Sequence, residues 1–143
     1  MSADDAPRDF AGLGLDPRLL EAVADLGFTE PTDVQAGTIP PLLKGRHVVG
    51  QARTGSGKTA AFGLALLDRL KDGGPNRALI LAPTRELAVQ VAQALRSFAT
   101  KLEGVRIANS TAFSPDGCHM YFADTPTGEI LRYAYDPETG TAT

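Results

Sequence analysis

Glycine, lysine and threonine residues cluster in one octapeptide, ARTGSGKT, at residues 52–59. Its two glycines let the backbone turn so that successive amide hydrogens point at one anion, and a following helix adds the positive end of its dipole. In this spacing the lysine reaches the β and γ phosphates of a nucleotide, and the last threonine hydroxyl binds Mg²⁺. The segment therefore predicts a phosphate loop, with alanine in place of the first glycine. Its predicted binding residues are Ala52, Arg53, Thr54, Gly55, Ser56, Gly57, Lys58 and Thr59, with Thr59 also the predicted metal ligand.

A phosphate loop lies between a strand and a helix, and the flanking sequence predicts both. The predicted strands are HVVGQA at 47–52, RALILAP at 77–83 and VRIA at 105–108. The predicted helices are 59–74, closed by Gly73 and Gly74, and 84–102, capped by Thr84. RALILAP is a continuous apolar run of the kind that is buried on both faces of a parallel sheet. This alternation of strands and long helices predicts an α/β layer with parallel pairing.

Two shorter helices are predicted before the loop. Leucine and valine repeat at helical spacing in 18–27, and Asp16 suits the N-cap of that helix. Thr32 and Gln35 have the spacing of a capping box, which starts a second helix. We expect the second helix to be disturbed by the two prolines at 40–41, because proline has no N–H group to donate.

The sequence pattern changes after residue 109. The segments STAF, HMYFA and EILRYAY are short and rich in β-branched or aromatic residues. The segments SPDG, DTPTG and DPETG, which separate or follow them, are rich in turn-forming residues. This pattern predicts an antiparallel β-meander in which Asp116, Asp124 and Asp136 are turn residues. We therefore expect an α/β unit at 1–106 followed by a meander at 107–143.

Composition sets limits on the class of protein. The 143 residues are 43% hydrophobic and 22% charged, which is ordinary for a soluble domain. A net charge of −3 does not indicate a protein that binds nucleic acid through its overall field, so any such contact must be local. Cys118 is the single cysteine and has no partner for an intramolecular disulfide. The acidic start and the absence of a long apolar run predict a cytoplasmic protein that does not insert into membranes.

Three ordered motifs resemble the start of a DEAD-box RNA helicase. GFTEPTDVQ at 27–35 resembles that family's Q motif, ARTGSGKT resembles motif I, and PTRELA at 83–88 resembles motif Ia. The resemblance spans residues 10 to about 104 and implies a partial P-loop, RecA-like three-layer sandwich that binds ATP with Mg²⁺. It implies that Gln35 reads the adenine edge, that Phe28 and Phe10 line the base pocket, and that Thr84 and Arg85 touch the RNA backbone.

Each of these implied roles has a structural alternative. Gln35 can complete the capping box, Phe10 and Phe28 can be core aromatics, and Arg85 can belong to a solvated first helical turn. The sequence also lacks the acidic hydrolysis motif and the second lobe of the resembled family. The resemblance thus implies nucleotide binding and weak RNA contact, with little or no ATPase or unwinding activity for this chain alone.

Residues 107–140 resemble one blade of the six-bladed gluconolactonase and regucalcin-type propellers. The resemblance rests on FSPDG, MYFADT and YDPETG, and it matches Asn109 to an asparagine that binds a divalent metal in that family. One ligand is not a metal site, because hard cations take about six oxygens. The two resemblances together suggest a chimera joined near 104–108. The alternative functions are a metal-dependent lactone hydrolase, or a non-enzymatic hybrid that self-associates through unpaired strand edges.

Overall fold

The computed structural model describes residues 9–72, 78–107, 110–124, 129–139 and 141–143. The chain divides into two compact units, Met1–Val105 and Arg106–Thr143. The helices of the first unit are α1 (Pro17–Asp25), α2 (Asp33–Leu43), α3 (Lys58–Leu70) and α4 (Arg85–Phe98), preceded by a short 3-10 helix at Ala11–Leu13. All four predicted helices are present. Helix α4 ends four residues earlier than predicted, and the glycines expected to close α3, Gly73 and Gly74, lie outside the described residues.

Helix α1 is bounded by the capping groups that its sequence predicts. The carboxylate of Asp16 accepts a hydrogen bond from the backbone N–H of Arg18 at 2.9 Å. At the other end Gly27 adopts a φ of 80°, and the N–H of Phe28 reaches back to the carbonyl of Val23 at 3.1 Å. The N–H of Gly27 also donates to the carbonyl of Ala24 at 2.9 Å. Together these two hydrogen bonds form a Schellman motif, which gives partners to carbonyls that have none within the helix.

Helix α2 continues through the two prolines that were expected to disturb it. Pro40 and Pro41 lie inside the helix, which ends only at Leu43. Their carbonyls still accept backbone hydrogen bonds, from Lys44 at 3.3 Å and from Arg46 at 3.0 Å. The fixed φ of proline is compatible with a helix, and the prolines lie in the last turns, next to the fully buried Ile39. Burial of this turn in the core thus compensates for the two backbone N–H donors that the prolines lack.

The core of the first unit lies between the helices. Leu19, Ile39, Leu64 and Leu67 are almost completely buried, and they come from α1, α2 and α3. Helices α3 and α4 approach closely at Gly63, where an added Cβ would lie 2.7 Å from Cδ2 of Leu95. The elements around the phosphate loop are therefore fixed by packing of helix on helix.

The strands predicted in the first unit are not formed. Residues 47–52 and 78–83 have no regular secondary structure, and in the described part of this unit no strand is present. The third segment, VRIA, is irregular at 105–107, and its last residue lies outside the described ranges. A strand requires hydrogen bonds to a neighbouring strand, and in the described ranges the backbone of residues 47–52 and 78–83 finds none. The apolar runs have a composition typical of strands, but composition does not supply the neighbouring strand that each of them needs.

The second unit is the predicted antiparallel meander. Its strands are β1 (Ser110–Phe113), β2 (His119–Asp124), β3 (Glu129–Asp136) and β4 (Thr141–Ala142), in spatial order β1-β2-β3-β4. Successive strands pair antiparallel, with Phe113 opposite Met120 and Met120 opposite Tyr133.

Two of the predicted turn aspartates have that role. Asp116 accepts from the N–H of Cys118 at 2.9 Å, and Asp136 accepts from the N–H of Glu138 at 2.9 Å. A hydrogen bond from the Ser114 hydroxyl lowers the pKa of Asp116, and one from the Thr139 hydroxyl lowers that of Asp136. Asp124 is instead the last residue of β2, and the turn after it lies outside the described residues.

Candidate nucleotide-binding site

The phosphate loop, residues 52–59, turns sharply before it enters helix α3. Gly55 and Gly57 have φ values of 78° and 85°, in the left-handed region that favours glycine. The N–H of Ser56 donates to the carbonyl of Arg53 at 3.3 Å, which closes the turn. Helix α3 begins at Lys58, one residue before its predicted start, so the loop lies at a helix N-terminus, where unpaired amides and the helix dipole favour anions.

Lys58 is held by the loop itself. Its ammonium group donates a hydrogen bond of 2.6 Å to the carbonyl of Arg53 and a second, short one to the carbonyl of Ala52. These acceptors are neutral, whereas phosphate oxygens carry charge and form stronger hydrogen bonds with ammonium groups. A bound phosphate can therefore replace one or both carbonyls as the partner of Lys58.

The first turn of α2 holds the loop from the other side. Gln35 is buried, with 1% of its surface exposed, and both ends of its amide are used. Its oxygen accepts from the backbone N–H of Thr32 at 2.9 Å, which is the glutamine half of the predicted capping box. Its nitrogen donates to the carbonyl of Gly57 at 3.2 Å, and the Thr32 hydroxyl donates to the carbonyl of Ser56 at 2.9 Å. Two carbonyls of the loop are therefore fixed by the start of α2.

One buried hydroxyl in the loop has no partner in the described part of the chain. The side-chain oxygen of Ser56 is buried and makes no hydrogen bond within the described part of the chain. A buried polar group without a partner is destabilising by about 1–3 kcal/mol. A phosphate oxygen is an acceptor that could satisfy this hydroxyl. The residues of the loop thus fit a phosphate group, with amides at a helix N-terminus, the ammonium group of Lys58 and the unsatisfied hydroxyl of Ser56.

The two aromatic residues assigned to the base pocket lie in one chain of rings. Phe10 and Phe28 meet edge to face with centroids 6.1 Å apart, and Phe28 meets Phe98 of α4 at the same distance. Phe10 is buried in the core, whereas Phe28 is 37% exposed. Both rings therefore have a packing role, and the base-pocket role of each stays a prediction.

The residues assigned to RNA contact lie at the start of α4. Thr84 is exposed and caps the helix, because its hydroxyl oxygen accepts from the N–H of Leu87 at 3.2 Å. Arg85 is the first residue of α4, and its side chain lies outside the described part of the structure. The capping role of Thr84 is confirmed, and contact of either residue with RNA stays a prediction.

Contact of Thr59 with a metal ion stays a prediction. Within the described ranges, no three His, Cys, Asp or Glu residues group in a way that could hold a metal ion. Asn109, the ligand implied by the propeller resemblance, lies outside those ranges. Within the same ranges, no helix is long and apolar enough to cross a membrane.

The contacts between α2 and the loop were not predicted. Spacing identified Thr32 and Gln35 as a capping box, and the glycine pattern identified the loop. The hydrogen bonds that join them link residues 24 and 22 positions apart, from Thr32 to Ser56 and from Gln35 to Gly57. Such contacts depend on how α2 packs against α3, and local spacing carries no signal for that packing.

The two glycines of the loop, the helix N-terminus that follows it and the hydrogen bond from Gln35 are features of the P-loop class of proteins. The sequence model of the DEAD/DEAH box helicase family matches residues 32–117. The chain therefore belongs to the DEAD/DEAH box helicase family. The match crosses the proposed junction at 104–108, and the comparisons give no support to a propeller blade or a chimera.

Curated relatives are similar over the first two thirds of the chain. The ATP-dependent RNA helicase DeaD of Escherichia coli K12 is 54% identical over 99 residues, covering 68% of this chain and 16% of the relative. The ATP-dependent RNA helicase SrmB of the same organism is 50% identical over 111 residues, covering 73% of this chain and 25% of the relative. The chain thus spans a quarter or less of the length of these relatives.

Solved structures confirm the α/β P-loop fold class. A DEAD box protein from Methanococcus jannaschii matches with a TM-score of 0.64 and 40% identity, covering 70% of this chain and 27% of the other. Prp28 from Chaetomium thermophilum, bound to ADP, matches with a TM-score of 0.62 and 44% identity, covering 68% of this chain and 25% of the other. Dbp5 from S. cerevisiae, bound to RNA and ADP BeF3, matches with a TM-score of 0.64 and 34% identity, covering 68% of this chain and 26% of the other.

Proposed function

We propose that this chain is a nucleotide-binding segment of a DEAD-box RNA helicase and that it binds ATP or ADP with Mg²⁺ through residues 52–59. The observation that carries the proposal is the geometry of the loop, where Gly55 and Gly57 shape a turn that ends at the N-terminus of α3. The unsatisfied hydroxyl of Ser56 supports it, because phosphate supplies the acceptor that the described part of the protein does not.

The roles of the loop residues follow from their chemistry. Lys58 exchanges its carbonyl partners for phosphate oxygens, and the amides at the start of α3 donate to the same group. Thr59 holds Mg²⁺, which when bound neutralises phosphate charge. Gln35 keeps the turn in place through Gly57, and its contact with adenine requires a change in the hydrogen bonds that now bury its amide.

Hydrolysis and unwinding by this chain alone are not expected. Phosphoryl transfer to water needs a group that orients the attacking water and cations that neutralise the γ-phosphate. The sequence has no Asp-Glu-Ala-Asp motif or similar acidic pair after an apolar strand. We propose nucleotide binding with negligible turnover, and weak RNA contact through Thr84 and Arg85. Binding of RNA together with a nucleotide analogue by Dbp5, a similar structure, supports the RNA part.

Titration with Mg-ADP and Mg-ATP tests the proposal. The wild type should bind both nucleotides in isothermal calorimetry, and Lys58→Ala should weaken binding by about 10- to 100-fold, the effect of losing charge-assisted hydrogen bonds. Lys44→Ala is the matched control, because Lys44 is an exposed lysine at the end of α2. Equal binding by the wild type and Lys58→Ala would contradict the proposal, as would no binding by the wild type.

A further inference from the structure

An apolar segment of the first unit, Ala78–Ala82, is exposed and has no backbone partner. Leu79 and Leu81 are 82% and 85% exposed, and Ile80 is 36% exposed. None of the five residues makes a backbone hydrogen bond to the described part of the chain, and none belongs to a helix or strand. Unpaired amides next to large exposed apolar side chains are typical of a surface that another strand covers.

One side of the segment already has an apolar neighbour. Leu79 and Ile80 line a cavity of about 450 Å³ together with Leu42 of α2 and with Phe62, Leu66 and Leu70 of α3. The segment therefore lies beside an apolar helix surface and leaves its backbone edge open. A covering strand would add backbone hydrogen bonds at that edge and extend the apolar surface.

The sequence of the segment is the same in both directions: Ala-Leu-Ile-Leu-Ala. In an antiparallel pair of two identical copies related by a two-fold axis, Ile80 lies opposite Ile80 and Leu79 lies opposite Leu81. Alanine then lies opposite alanine, so every cross-strand pair matches in size. Residues 78–84 contain no charged side chain, so the pairing brings no like charges together.

We propose that Ala78–Ala82 pairs with the same segment of a second copy, antiparallel and centred on Ile80. The contact is isologous, as a two-fold interface requires. Five residues on each side bury far less than the roughly 1,200 Å² of a stable interface, so the dimer is transient and forms at high protein concentration. This inference does not depend on nucleotide binding.

Disulfide trapping tests both the pairing and its register. In a Cys118→Ser background, which removes the single native cysteine, Ile80→Cys places two thiols directly opposite each other. Opposite residues of an antiparallel pair have Cα atoms about 4.5–5.5 Å apart, and a disulfide forms at about 4.4–6.8 Å. Residue 79 and its copy lie diagonally across the pair, with Cα atoms about 7–8 Å apart, which is too far for an unstrained disulfide.

In a glutathione redox buffer, Ile80→Cys should form cross-linked dimer at least tenfold faster than either Leu79→Cys or Val49→Cys. Val49→Cys is the matched control, because Val49 is a fully exposed apolar residue of the same unit that lies outside the segment. Mixing Leu79→Cys with Leu81→Cys should give the heterodimer faster than either variant gives a homodimer. Equal rates for Ile80→Cys and Val49→Cys would overturn the pairing, and faster trapping of Leu79→Cys alone would overturn the register.

Sedimentation velocity supplies an independent measurement without cysteine. The wild type should show a sedimentation coefficient that rises with concentration. With Ile80 and its copy as a non-hydrogen-bonded pair, the N–H groups of residues 79 and 81 face the second copy, so Leu81→Pro should abolish the rise by removing one of these donors. Residue 81 is exposed and irregular in the single chain, so the far-UV circular dichroism of the variant should be unchanged. A wild type that stays monomeric at every concentration, or an unaltered rise in Leu81→Pro, would overturn the proposal.

Discussion

The side-chain amide of Gln35 donates a hydrogen bond of 3.2 Å to the backbone carbonyl of Gly57, and this bond ties the start of α2 to the phosphate loop. The same amide accepts from the N–H of Thr32 at 2.9 Å. One buried side chain thus serves both as the capping residue of a helix and as a support for a loop 22 residues further along the chain. The shape of the loop therefore depends on packing as well as on its own glycines.

Gly57 should tolerate substitution less well than Gly55. An added Cβ at Gly57 would lie 2.3 Å from Nε2 of Gln35, whereas at Gly55 it would meet nothing within 4 Å. Both residues have positive φ, so alanine costs about 1–2 kcal/mol of backbone energy at each. Urea denaturation should therefore show a larger loss of unfolding free energy for Gly57→Ala than for Gly55→Ala. Equal losses would mean that Gln35 does not restrict the loop.

Gln35→Ala should destabilise the first unit. The substitution removes two hydrogen bonds, one to the N–H of Thr32 and one to the carbonyl of Gly57, and each contributes about 0.5–1.5 kcal/mol. Thermal unfolding followed by circular dichroism should show a lower midpoint for Gln35→Ala. Gln51→Ala, at an exposed glutamine before the loop, is the control and should leave the midpoint unchanged. A Gln35→Ala midpoint equal to that of the control would contradict the bridging role.

Asp16 should contribute to the pH dependence of stability. Hydrogen bonds from the side chain and backbone of Arg18 hold the pKa of its carboxyl far below the ordinary value. A group with a depressed folded pKa stabilises the protein above its unfolded pKa of about 3.9, and that stability is lost as pH falls through the folded pKa. The unfolding free energy should therefore fall below about pH 4, and Asp16→Asn should reduce the fall.

Asparagine keeps the capping oxygen at position 16, so the Asp16→Asn comparison isolates the charge. Denaturant titrations at pH 7, 4 and 3 measure the effect. Asp33→Asn, in the first turn of α2, is the control for a general change in net charge. The assignment to Asp16 fails if both variants follow the same pH profile.

Two helical glycines should respond oppositely to alanine. At Gly63 in α3 an added Cβ would lie 2.7 Å from Leu95 of α4, whereas at Gly37 in α2 it would meet nothing within 4 Å. Gly63→Ala should lose about 1–3 kcal/mol through overpacking, and Gly37→Ala should gain about 0.5–1 kcal/mol through helix propensity. Chemical denaturation checks the signs. A stabilising Gly63→Ala would show that α3 and α4 are not closely packed there.

Much of the local structure follows from short-range sequence signals. Asp16 and Thr84 cap helices as predicted, since each accepts from an N–H within three residues. The meander follows from alternating residues and turn chemistry, because its strands are neighbours in sequence and pair through short connections. Helices and hairpins find their hydrogen-bond partners nearby, so a single stretch of sequence specifies them.

The sequence by itself determined the glycine-hinged loop, the start of α3 and the membership of the DEAD-box family, since these depend on residue types at fixed spacing. The tertiary structure decided that Gln35 would be buried against Gly57, that Lys58 would bond loop carbonyls, and that Ala78–Ala82 would stay unpaired. The physical reason is the range of the interactions. A helix carries its own hydrogen-bond partners, whereas a strand or a long-range side-chain contact exists only where packing brings a partner to it.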